Sequence, residues 1–280
     1  MALRAKRPEA IVKRLKLFMY GPAGSGKTTA AIQFPNSYII DCERGAENYD
    51  KLINASGSVL MQTTDAFEAI AEVRSLLTEQ HEYRTLVIDP ITALYNDLLE
   101  KAEEKVGTEF GRHYGEANKT MKRLANLIMS LDMNVIITSH AKKEYGQNLA
   151  VLGITFDAWK SLDYWFDLVI ELRKRAKRRV GFVAKTRIEA FPDGEVFDWS
   201  YPEIARRYGI DVLERQANTL ALATPEQVAE LKALLEVVKL PDGTVEKWLS
   251  KAQVENLEDM PADTVAKCVL FVKGRLGNAA

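Results

Sequence analysis

Long apolar runs are missing from this chain of 280 residues. The longest, such as Leu86–Ile88 and Val135–Ile137, suit buried strands and are far too short to cross a bilayer. No apolar signal segment opens the chain, because basic side chains crowd its start: Arg4, Lys6, Arg7, Lys13, Arg14 and Lys16. We therefore expect no membrane partner and a cytoplasmic location.

Cysteine is scarce as well. Cys42 and Cys268 lie far apart and have no spacing that suits a metal site. This usage fits a reducing cytosol, in which both thiols are small buried apolar groups. The sequence therefore indicates neither a disulfide scaffold nor a cysteine-based metal site.

A strong overall charge is also absent, since the formal net charge is −1. Between Arg173 and Arg187, however, acidic residues are missing and eight side chains are cationic: Arg173, Lys174, Arg175, Lys177, Arg178, Arg179, Lys185 and Arg187. Such a patch can bind a polyanion although the whole protein is not basic.

Strand and helix patterns alternate over the first half of the chain. A buried strand is predicted at Leu15–Tyr20, and further strands are predicted at Ser37–Ile40, Ser58–Met61, Thr85–Ile88 and Val135–Thr138. Helices are predicted near Thr92–Glu104 and Ala117–Leu131, and after Asp65, which forms a capping box with Glu68. The apolar residues of that last helix fall on one face: Phe67, Ile70, Val73 and Leu77. The alternation predicts an α/β fold whose mostly parallel sheet is covered by helices on both faces.

The pattern changes after His140. Ala141–Ala158 contains glycine and shows no sustained period, so we expect a mobile loop there. Leu168–Leu172 and Val180–Ala184 are typical of two antiparallel strands joined by a basic turn. Phe197–Tyr208 is expected to close the core.

The chain is expected to comprise four parts: a basic N-terminal arm at 1–14, an α/β core at 15–215, a linker at 216–223 and a helical module at 224–280. The first helix of the module starts at Thr224, with proline at the next position and Gln227 at the third. Shorter helices are predicted near Val245–Ala252 and Ala262–Lys273.

A phosphate-binding motif lies between the first strand and the first helix. Gly21–Thr28 reads GPAGSGKT and matches G-x-x-x-x-G-K-[ST] at every position. Glycines let backbone N–H groups surround the β-phosphate of a nucleotide, and the start of a helix adds its dipole. We expect Lys27 to reach the β- and γ-phosphates of ATP and Thr28 to ligate Mg²⁺. The predicted nucleotide-binding residues are Gly21, Pro22, Ala23, Gly24, Ser25, Gly26, Lys27, Thr28 and Thr29.

Acidic residues end two of the predicted strands. Asp89 follows an apolar strand and is expected to hold Mg²⁺ through a water molecule. Pro90 stands directly after it, where many ring-forming P-loop ATPases have the glutamate that activates water, so the base must come from elsewhere. Glu43 is the candidate base, and Asp41 is expected to be a structural acid at the strand end.

The order of these segments resembles the core of the RecA recombinases. The segments that carry the resemblance, besides the phosphate loop, are Ile39–Ala46, Val87–Asp89, Ile136–His140 and Ala184–Ala190. Within that superfamily the chain looks closest to the compact, core-only RecA-like single-strand annealing proteins of bacteriophages, to which Phe197–Tyr201 is also similar. The resemblance covers about Leu15 to Tyr208.

The resemblance implies roles for single residues. Glu43 would be the base and His140 the sensor of the γ-phosphate, although RecA has glutamine at that position. Lys185 and Arg187 would stabilise γ-phosphate charge in a neighbouring subunit, which implies a homo-oligomer with ATP at its subunit interfaces. RecA also has an N-terminal helix and strand that dock on the next subunit, and only the short basic arm stands in their place here.

Two stretches correspond to the DNA-binding loops of RecA, namely Val106–Glu116 and Ala141–Lys160. Cationic side chains can follow a phosphate backbone, and aromatic side chains can stack on unpaired bases. The candidate DNA-binding residues are Arg112, His113, Tyr114, Lys142, Lys143, Tyr145 and Lys160. The alternative for both stretches is a solvated loop with incidental charge. Trp159, Tyr164 and Trp165 are expected to belong to the core.

Taken with the resemblance, the sequence predicts an ATPase that binds single-stranded DNA and supports homologous recombination by strand annealing or pairing, encoded by a phage. One alternative is a non-recombinational P-loop ATPase, such as a helicase loader or a packaging-type motor. Another is a nucleotide-gated interaction protein whose C-terminal helices bind a protein partner. A small-molecule kinase is disfavoured, because no arginine-rich lid is found.

Overall fold

The computed structural model describes residues 13–145, 150–252 and 254–276. Most of the predicted N-terminal arm therefore lies outside the described residues. Of its last two residues, Arg14 is 4% exposed and its guanidinium lies 2.9 Å from Asp132. Within the described ranges, no helix is both long enough and apolar enough to cross a membrane.

Nine strands in the described part of the chain form one sheet. They are β1 (Lys16–Gly21), β2 (Ser37–Asp41), β3 (Val59–Gln62), β4 (Thr85–Asp89), β5 (Asn134–Tyr145), β6 (Val151–Phe156), β7 (Leu168–Arg175), β8 (Arg178–Thr186) and β9 (Val196–Asp198). Their order is β3-β2-β4-β5-β1-β7-β8-β9, and β6 pairs with the extension of β5. Pairing is parallel from β3 to β7 and antiparallel at β8 and β9. The predicted α/β fold, with a mostly parallel sheet and antiparallel C-terminal strands, is confirmed.

Helices cover both faces of the sheet. They are α1 (Lys27–Ala31), α2 (Asp50–Ala55), α3 (Ala66–Thr78), α4 (Ile91–Val106), α5 (Arg112–Ser130), α6 (Tyr201–Tyr208), α7 (Ile210–Leu213), α8 (Pro225–Val237), α9 (Thr244–Ala252) and α10 (Ala262–Leu276). Side chains of β1 alternate between the two faces: Phe18 belongs to the buried cluster that includes residues of α3, α4 and α5, whereas Leu17 belongs to the cluster that includes residues of α1, α6 and α7. Each such fully buried apolar side chain stabilises the fold by about 1.5–3 kcal/mol.

The start of α3 differs from the prediction in two respects. Asp65 caps the helix by accepting from the backbone N–H of Phe67 and Glu68, but the Glu68 carboxylate does not return to Asp65. It accepts from the hydroxyl of Thr63, and the same hydroxyl oxygen accepts from the N–H of Asp65. The predicted capping box is therefore only half formed, because Asp65 caps the helix but Glu68 does not accept from the backbone N–H of Asp65. Phe67 is 52% exposed, so its assignment to the buried face is also wrong.

The prediction of a mobile loop at Ala141–Ala158 is wrong. β5 continues beyond His140 to Tyr145 and pairs in antiparallel fashion with β6, with Ala141 opposite Phe156. The Phe156 ring lies 5.1 Å from that of Phe18, which anchors the hairpin on the core. Only the side of the hairpin that carries Phe156 packs on the core, and the residues near the tip are exposed. The sequence therefore shows no clear alternation of apolar and polar residues. Residues 146–149 of the predicted loop lie outside the described residues.

The helical C-terminal module has an apolar core of its own, which includes Leu231, Met260 and Val265. As predicted, Thr224 and Gln227 form a capping box at the start of α8. The module docks on the α/β core through Asp259, which is 3% exposed and pairs with the arginines of α3 and α5, Arg74 and Arg123. A buried carboxylate with two cationic partners fixes how the module packs.

A chain ending near Ala221 is expected to stay folded. Because the module has a separate core, truncation removes little of the sheet's packing, and Arg74 and Arg123 would be left facing water rather than buried without partners. We expect cooperative unfolding at a temperature only a few degrees lower, since about 1 kcal/mol corresponds to roughly 2–4 °C in a domain of this size. Circular dichroism on heating measures this.

The matched control for truncation is Asp259→Ala in the full chain, which breaks the docking contacts but keeps the module. Both variants should retain the helical and strand signal of the core. If truncation abolishes cooperative unfolding while Asp259→Ala does not, the module is an inseparable part of the core.

Candidate nucleotide-binding site

The phosphate loop begins where β1 ends and stops where α1 begins. Gly24 and Gly26 have φ values of 73° and 93°, a left-handed conformation that glycine adopts without strain. At Gly21 the constraint is space, because a Cβ there would lie 2.5 Å from the carbonyl oxygen of Leu172 on β7. The three glycines of the motif are thus each required by the geometry of the loop.

Parallel pairing brings four chain segments to one edge of the sheet, where β1, β2, β4 and β5 have their carboxyl ends. Gly21 is opposite His140, and Asp41 is opposite Asp89. A cavity of about 390 Å³ opens at this edge. Its lining includes Lys27, Thr28, Glu43, Asp89 and His140. The structure therefore brings together five of the residues that the sequence singled out.

Lys27 reaches across the phosphate loop. Its Nζ donates hydrogen bonds to the carbonyl oxygens of Gly21, at 2.9 Å, and Pro22, at 3.2 Å. Burial lowers the pKa of the Lys27 ammonium, and the nearby charges of Asp89 and Glu43 partly oppose that shift. A half-buried cation held by neutral carbonyl oxygens is suited to bind an anionic phosphate oxygen.

Asp89 is 4% exposed and accepts a hydrogen bond from the hydroxyl of Thr138 on β5. Burial raises the pKa of Asp89 above its usual value, and the hydrogen bonds from the hydroxyls of Thr138 and Thr28 only partly oppose that shift. Thr28 and Asp89 supply oxygen donors, which Mg²⁺ prefers, and Mg²⁺ typically takes its other ligands from water and substrate phosphates. Within the described ranges, no group of three or more histidine, cysteine or acidic side chains could hold a metal alone. This donor set therefore fits Mg²⁺ bound together with a nucleotide.

Glu43 and His140 face each other at the mouth of the cavity. His140 Nε2 lies 3.0 Å from Glu43 Oε2, and both side chains are nearly half exposed. The turn that carries Glu43 is organised by Asp41, whose carboxylate accepts from the backbone N–H groups of Glu43, Gly45 and Ala46. Asp41 thus has the structural position expected for it.

Two threonines at the site were missed by the sequence reasoning. Thr138 holds Asp89, and Thr92 at the start of α4 accepts from the backbone N–H of His140 at 3.0 Å. Thr92 Oγ1 also donates to the carbonyl oxygen of Asp157 at 2.7 Å. The polar run Thr138-Ser139-His140 at the end of an apolar strand could have indicated Thr138. No local pattern indicated Thr92.

Lys185 and Arg187 lie at the opposite, amino edge of the sheet. Thr186 is opposite Leu168, which is itself opposite Leu17 near the start of β1. Lys185 Nζ donates to the carbonyl oxygens of Asp163 and Phe166, and Arg187 pairs with Asp167 at 3.3 Å. Burial and the neighbouring Arg187 charge lower the pKa of Lys185. The structure does not bring these two cations to the chain's own phosphate loop.

Part of the first candidate DNA-binding stretch is helical rather than a loop. A 3-10 turn at Glu109–Gly111 leads directly into α5, so Arg112, His113 and Tyr114 lie in its first turn. Tyr114 is 51% exposed, and the neighbouring Phe110 is 97% exposed. The expectation of a loop is wrong here because Gly107 and Gly111, both with φ of 70°, reverse the chain within five residues.

The second candidate stretch forms the β5–β6 hairpin. Lys143 and Tyr145 are exposed on it, while the ammonium of Lys142 lies 3.0 Å from the Asp157 carboxylate. Lys160 follows β6 and is exposed. A short 3-10 helix, Leu162–Trp165, comes next. Its Tyr164 is 69% exposed, so the core assignment is wrong for this residue, whereas Trp159 and Trp165 pack against the core.

One protein family and several solved structures are similar to this chain. The AAA domain family model matches residues 13–190. No curated protein sequence matches the chain. A crystal structure of the RadB recombinase is similar over 65% of this chain and 86% of that chain, at 20% identity and a TM-score of 0.42. A DnaB-like replicative helicase, studied with its interactions with primase, is similar over 67% of this chain and 56% of that chain, at 13% identity and a TM-score of 0.43.

The family match includes the residues of the candidate site as well as most of the chain. It covers well over half of the chain, and the matched residues contain the phosphate loop, Glu43, Asp89 and His140. Residues 13–190 also include every strand of the sheet except β9. The protein therefore belongs to the AAA domain family, and its core is a mostly parallel sheet that carries a phosphate loop.

Proposed function

We propose that this protein is a Mg²⁺-dependent ATPase that binds single-stranded DNA and supports recombination by annealing or pairing strands. The observation that carries the ATPase part is the meeting of Lys27, Thr28, Glu43, Asp89 and His140 around one cavity. The DNA part rests on the resemblance to phage annealing proteins and on exposed aromatic and cationic groups near the start of α5 and on the β5–β6 hairpin. A phage origin rests on the resemblance alone.

The residues of the cavity have distinct tasks in hydrolysis. Lys27 and the loop N–H groups bind the β- and γ-phosphates, and Thr28 and Asp89 would hold Mg²⁺, which neutralises phosphate charge. Glu43 accepts the proton of the water that attacks the γ-phosphorus, while the bond to the bridging oxygen breaks and ADP leaves. His140 Nε2 lies 3.0 Å from Glu43 and orients that carboxylate. As the sensor, His140 would turn this same N–H toward a γ-phosphate oxygen when nucleotide binds.

Glu43→Gln is expected to keep ATP binding and lose hydrolysis. The amide has nearly the same shape but cannot accept the proton, so kcat should fall about 10²- to 10⁴-fold. Calorimetry measures ATP affinity and phosphate release measures turnover. The matched control is Glu47→Gln, an exposed glutamate of the same segment that contacts Gln62 instead. Normal turnover by Glu43→Gln would mean that another residue is the base.

Exposed aromatic and cationic side chains support the DNA-binding proposal. Phe110 and Tyr114 are exposed beside the start of α5, and Tyr145 is 55% exposed on the β5–β6 hairpin. Lys143 is exposed on the same hairpin. Aromatic side chains stack on unpaired bases regardless of sequence, and cations follow the backbone. Because β5 leaves the sheet directly after His140, the hairpin can connect nucleotide state to DNA affinity.

ATP hydrolysis with and without single-stranded DNA tests the proposal. We expect DNA to stimulate turnover, and we expect DNA affinity to fall steeply with salt as counterions are released. If DNA does not change the rate of ATP hydrolysis and does not bind, a nucleotide-gated interaction protein becomes the better interpretation. Annealing of complementary strands without translocation separates the proposal from a helicase loader or motor.

A homo-oligomer with ATP between subunits is also proposed. Lys185 and Arg187 occupy the edge of the sheet opposite their own phosphate loop, so only a neighbouring subunit's nucleotide could meet them.

Exposed Leu270 and Phe271 on α10 give the C-terminal module a surface for a protein partner.

A further inference from the structure

The β7–β8 hairpin crowds the phosphate loop from the side opposite the cavity. Tyr20 is opposite Glu171, and β7 continues past the end of β1 to Arg175 before β8 returns from Arg178. Two glycines of the loop sit directly against this hairpin. A Cβ at Gly21 would lie 2.5 Å from Leu172 O, and a Cβ at Gly26 would lie 1.9 Å from Arg179 Nε. The Arg179 side chain therefore rests on the backbone of the phosphate loop.

Arg179 differs from Arg173 and Arg178 on the same hairpin. Arg173 pairs with Glu171 at 2.5 Å, and Arg178 pairs with Asp198 at 3.0 Å. The Arg179 guanidinium, on a half-buried residue, forms no ion pair or side-chain hydrogen bond with any residue in the described ranges. A guanidinium has five N–H donors in a planar fork that matches phosphate oxygens. Its donors are thus available at a loop whose motif binds phosphate.

The backbone of Arg179 is held on both sides. It lies opposite Lys174 in the β7–β8 ladder, and its carbonyl oxygen accepts from the N–H of Trp199 at 2.9 Å. Trp199 is itself 7% exposed in the core. The guanidinium is therefore presented from a fixed strand rather than from a loop, which reduces the conformational entropy lost when it binds an anion.

The position of Arg179 relative to β1 indicates which end of the nucleotide it meets. Glu43, Asp89 and His140 follow β2, β4 and β5, all on one side of β1, whereas β7 and β8 lie on the other side. A triphosphate with its γ-phosphate at Glu43 and His140 crosses the loop and directs its α-phosphate toward β8. We propose that Arg179 binds the α-phosphate of the nucleotide held by its own subunit. This assignment rests on the proposed ATPase function.

Arg179→Gln, with Arg178→Gln as the matched control, tests the assignment. Both changes remove one arginine charge from the same strand, but only Arg179 contacts the loop. Because ATP and ADP share the α-phosphate, Arg179→Gln should weaken both by the same factor, roughly 10- to 100-fold for a lost charge-assisted hydrogen bond. Arg178→Gln should change neither dissociation constant appreciably. Arg179→Lys should give an intermediate loss, and it serves as the second variant if Arg179→Gln does not fold.

Each outcome of these titrations has a definite meaning. Equal weakening of ATP and ADP excludes the γ-phosphate, and an equal loss for AMP, which lacks the β-phosphate, supports the assignment. Unchanged AMP affinity would place Arg179 at the β-phosphate and overturn it. Weakening of ATP alone would place Arg179 at the γ-phosphate and overturn it, and unchanged affinity for both would also overturn it while leaving the ATPase proposal intact. If the unmodified protein binds neither nucleotide, the ATPase proposal fails first and the assignment fails with it.

Discussion

Replacement of Lys27 by alanine is expected to abolish ATP turnover and to weaken ATP binding on the order of 100-fold, the value of a strong charge-assisted hydrogen bond. The ammonium lies inside the phosphate loop, where its two carbonyl partners at Gly21 and Pro22 are weaker acceptors than phosphate oxygens. Its loss removes the fixed cation from the site at which negative charge accumulates during transfer.

Titration calorimetry and phosphate release measure the two effects of Lys27→Ala. The matched control is Lys51→Ala, an exposed lysine on α2 that lines no part of the cavity. Thermal unfolding of both variants separates loss of the cation from loss of the fold. Unchanged turnover in folded Lys27→Ala protein would contradict the assignment of the active site.

Arg187→Ala is expected to leave ATP binding intact and to reduce DNA-stimulated hydrolysis roughly 10³-fold, as for other trans-acting cations. Arg187 lies at the amino edge of the sheet, away from its own phosphate loop, and its side chain is 53% exposed. Turnover should also depend on protein concentration, because the cation reaches a nucleotide only after subunits assemble. Arg206→Ala, which removes an exposed arginine paired with Glu203, is the control.

Lys185→Ala should lose stimulated turnover as well, but it also removes hydrogen bonds to Asp163 and Phe166 within the chain. Its unfolding temperature must therefore be measured beside its activity. Mixing either variant with Glu43→Gln protein should restore some turnover, because an intact base in one subunit then meets intact cations in another. If neither variant affects stimulated turnover, the pair only anchors the segment around residues 162–167, and ATP does not lie between subunits as proposed.

Features that depend on neighbouring residues could be predicted from the sequence. The phosphate loop is one: three glycines, a lysine and a threonine follow one apolar strand, and each acts through its own backbone or a short reach. The alternation of strands and helices is another, because it requires a parallel sheet. Glu43, Asp89 and His140 could be expected together, because the carboxyl ends of parallel strands share one edge.

Features that depend on partial packing could not be predicted. The β5–β6 hairpin packs on the core through one side and is otherwise exposed, so its sequence lacks the alternation of apolar and polar residues that indicates a strand. The start of α5 at Arg112 has no capping side chain and depends on Gly111 in a left-handed conformation. Phe67 occupies a core-like position in the helical pattern, yet its ring lies near Lys101 at the surface.

The sequence alone determined that this protein has a P-loop core, because a phosphate loop is built from consecutive residues whose conformations are set by glycine. Only the tertiary structure decided what surrounds that loop. Arg179 and Gly26 are distant along the chain and meet because β7 pairs beside β1 and turns back as β8. Lys185 and Arg187, on and just after the same strand, are carried to the far edge by the antiparallel direction of β8. Strand order and direction arise from packing across the whole sheet, which no local pattern of residues encodes.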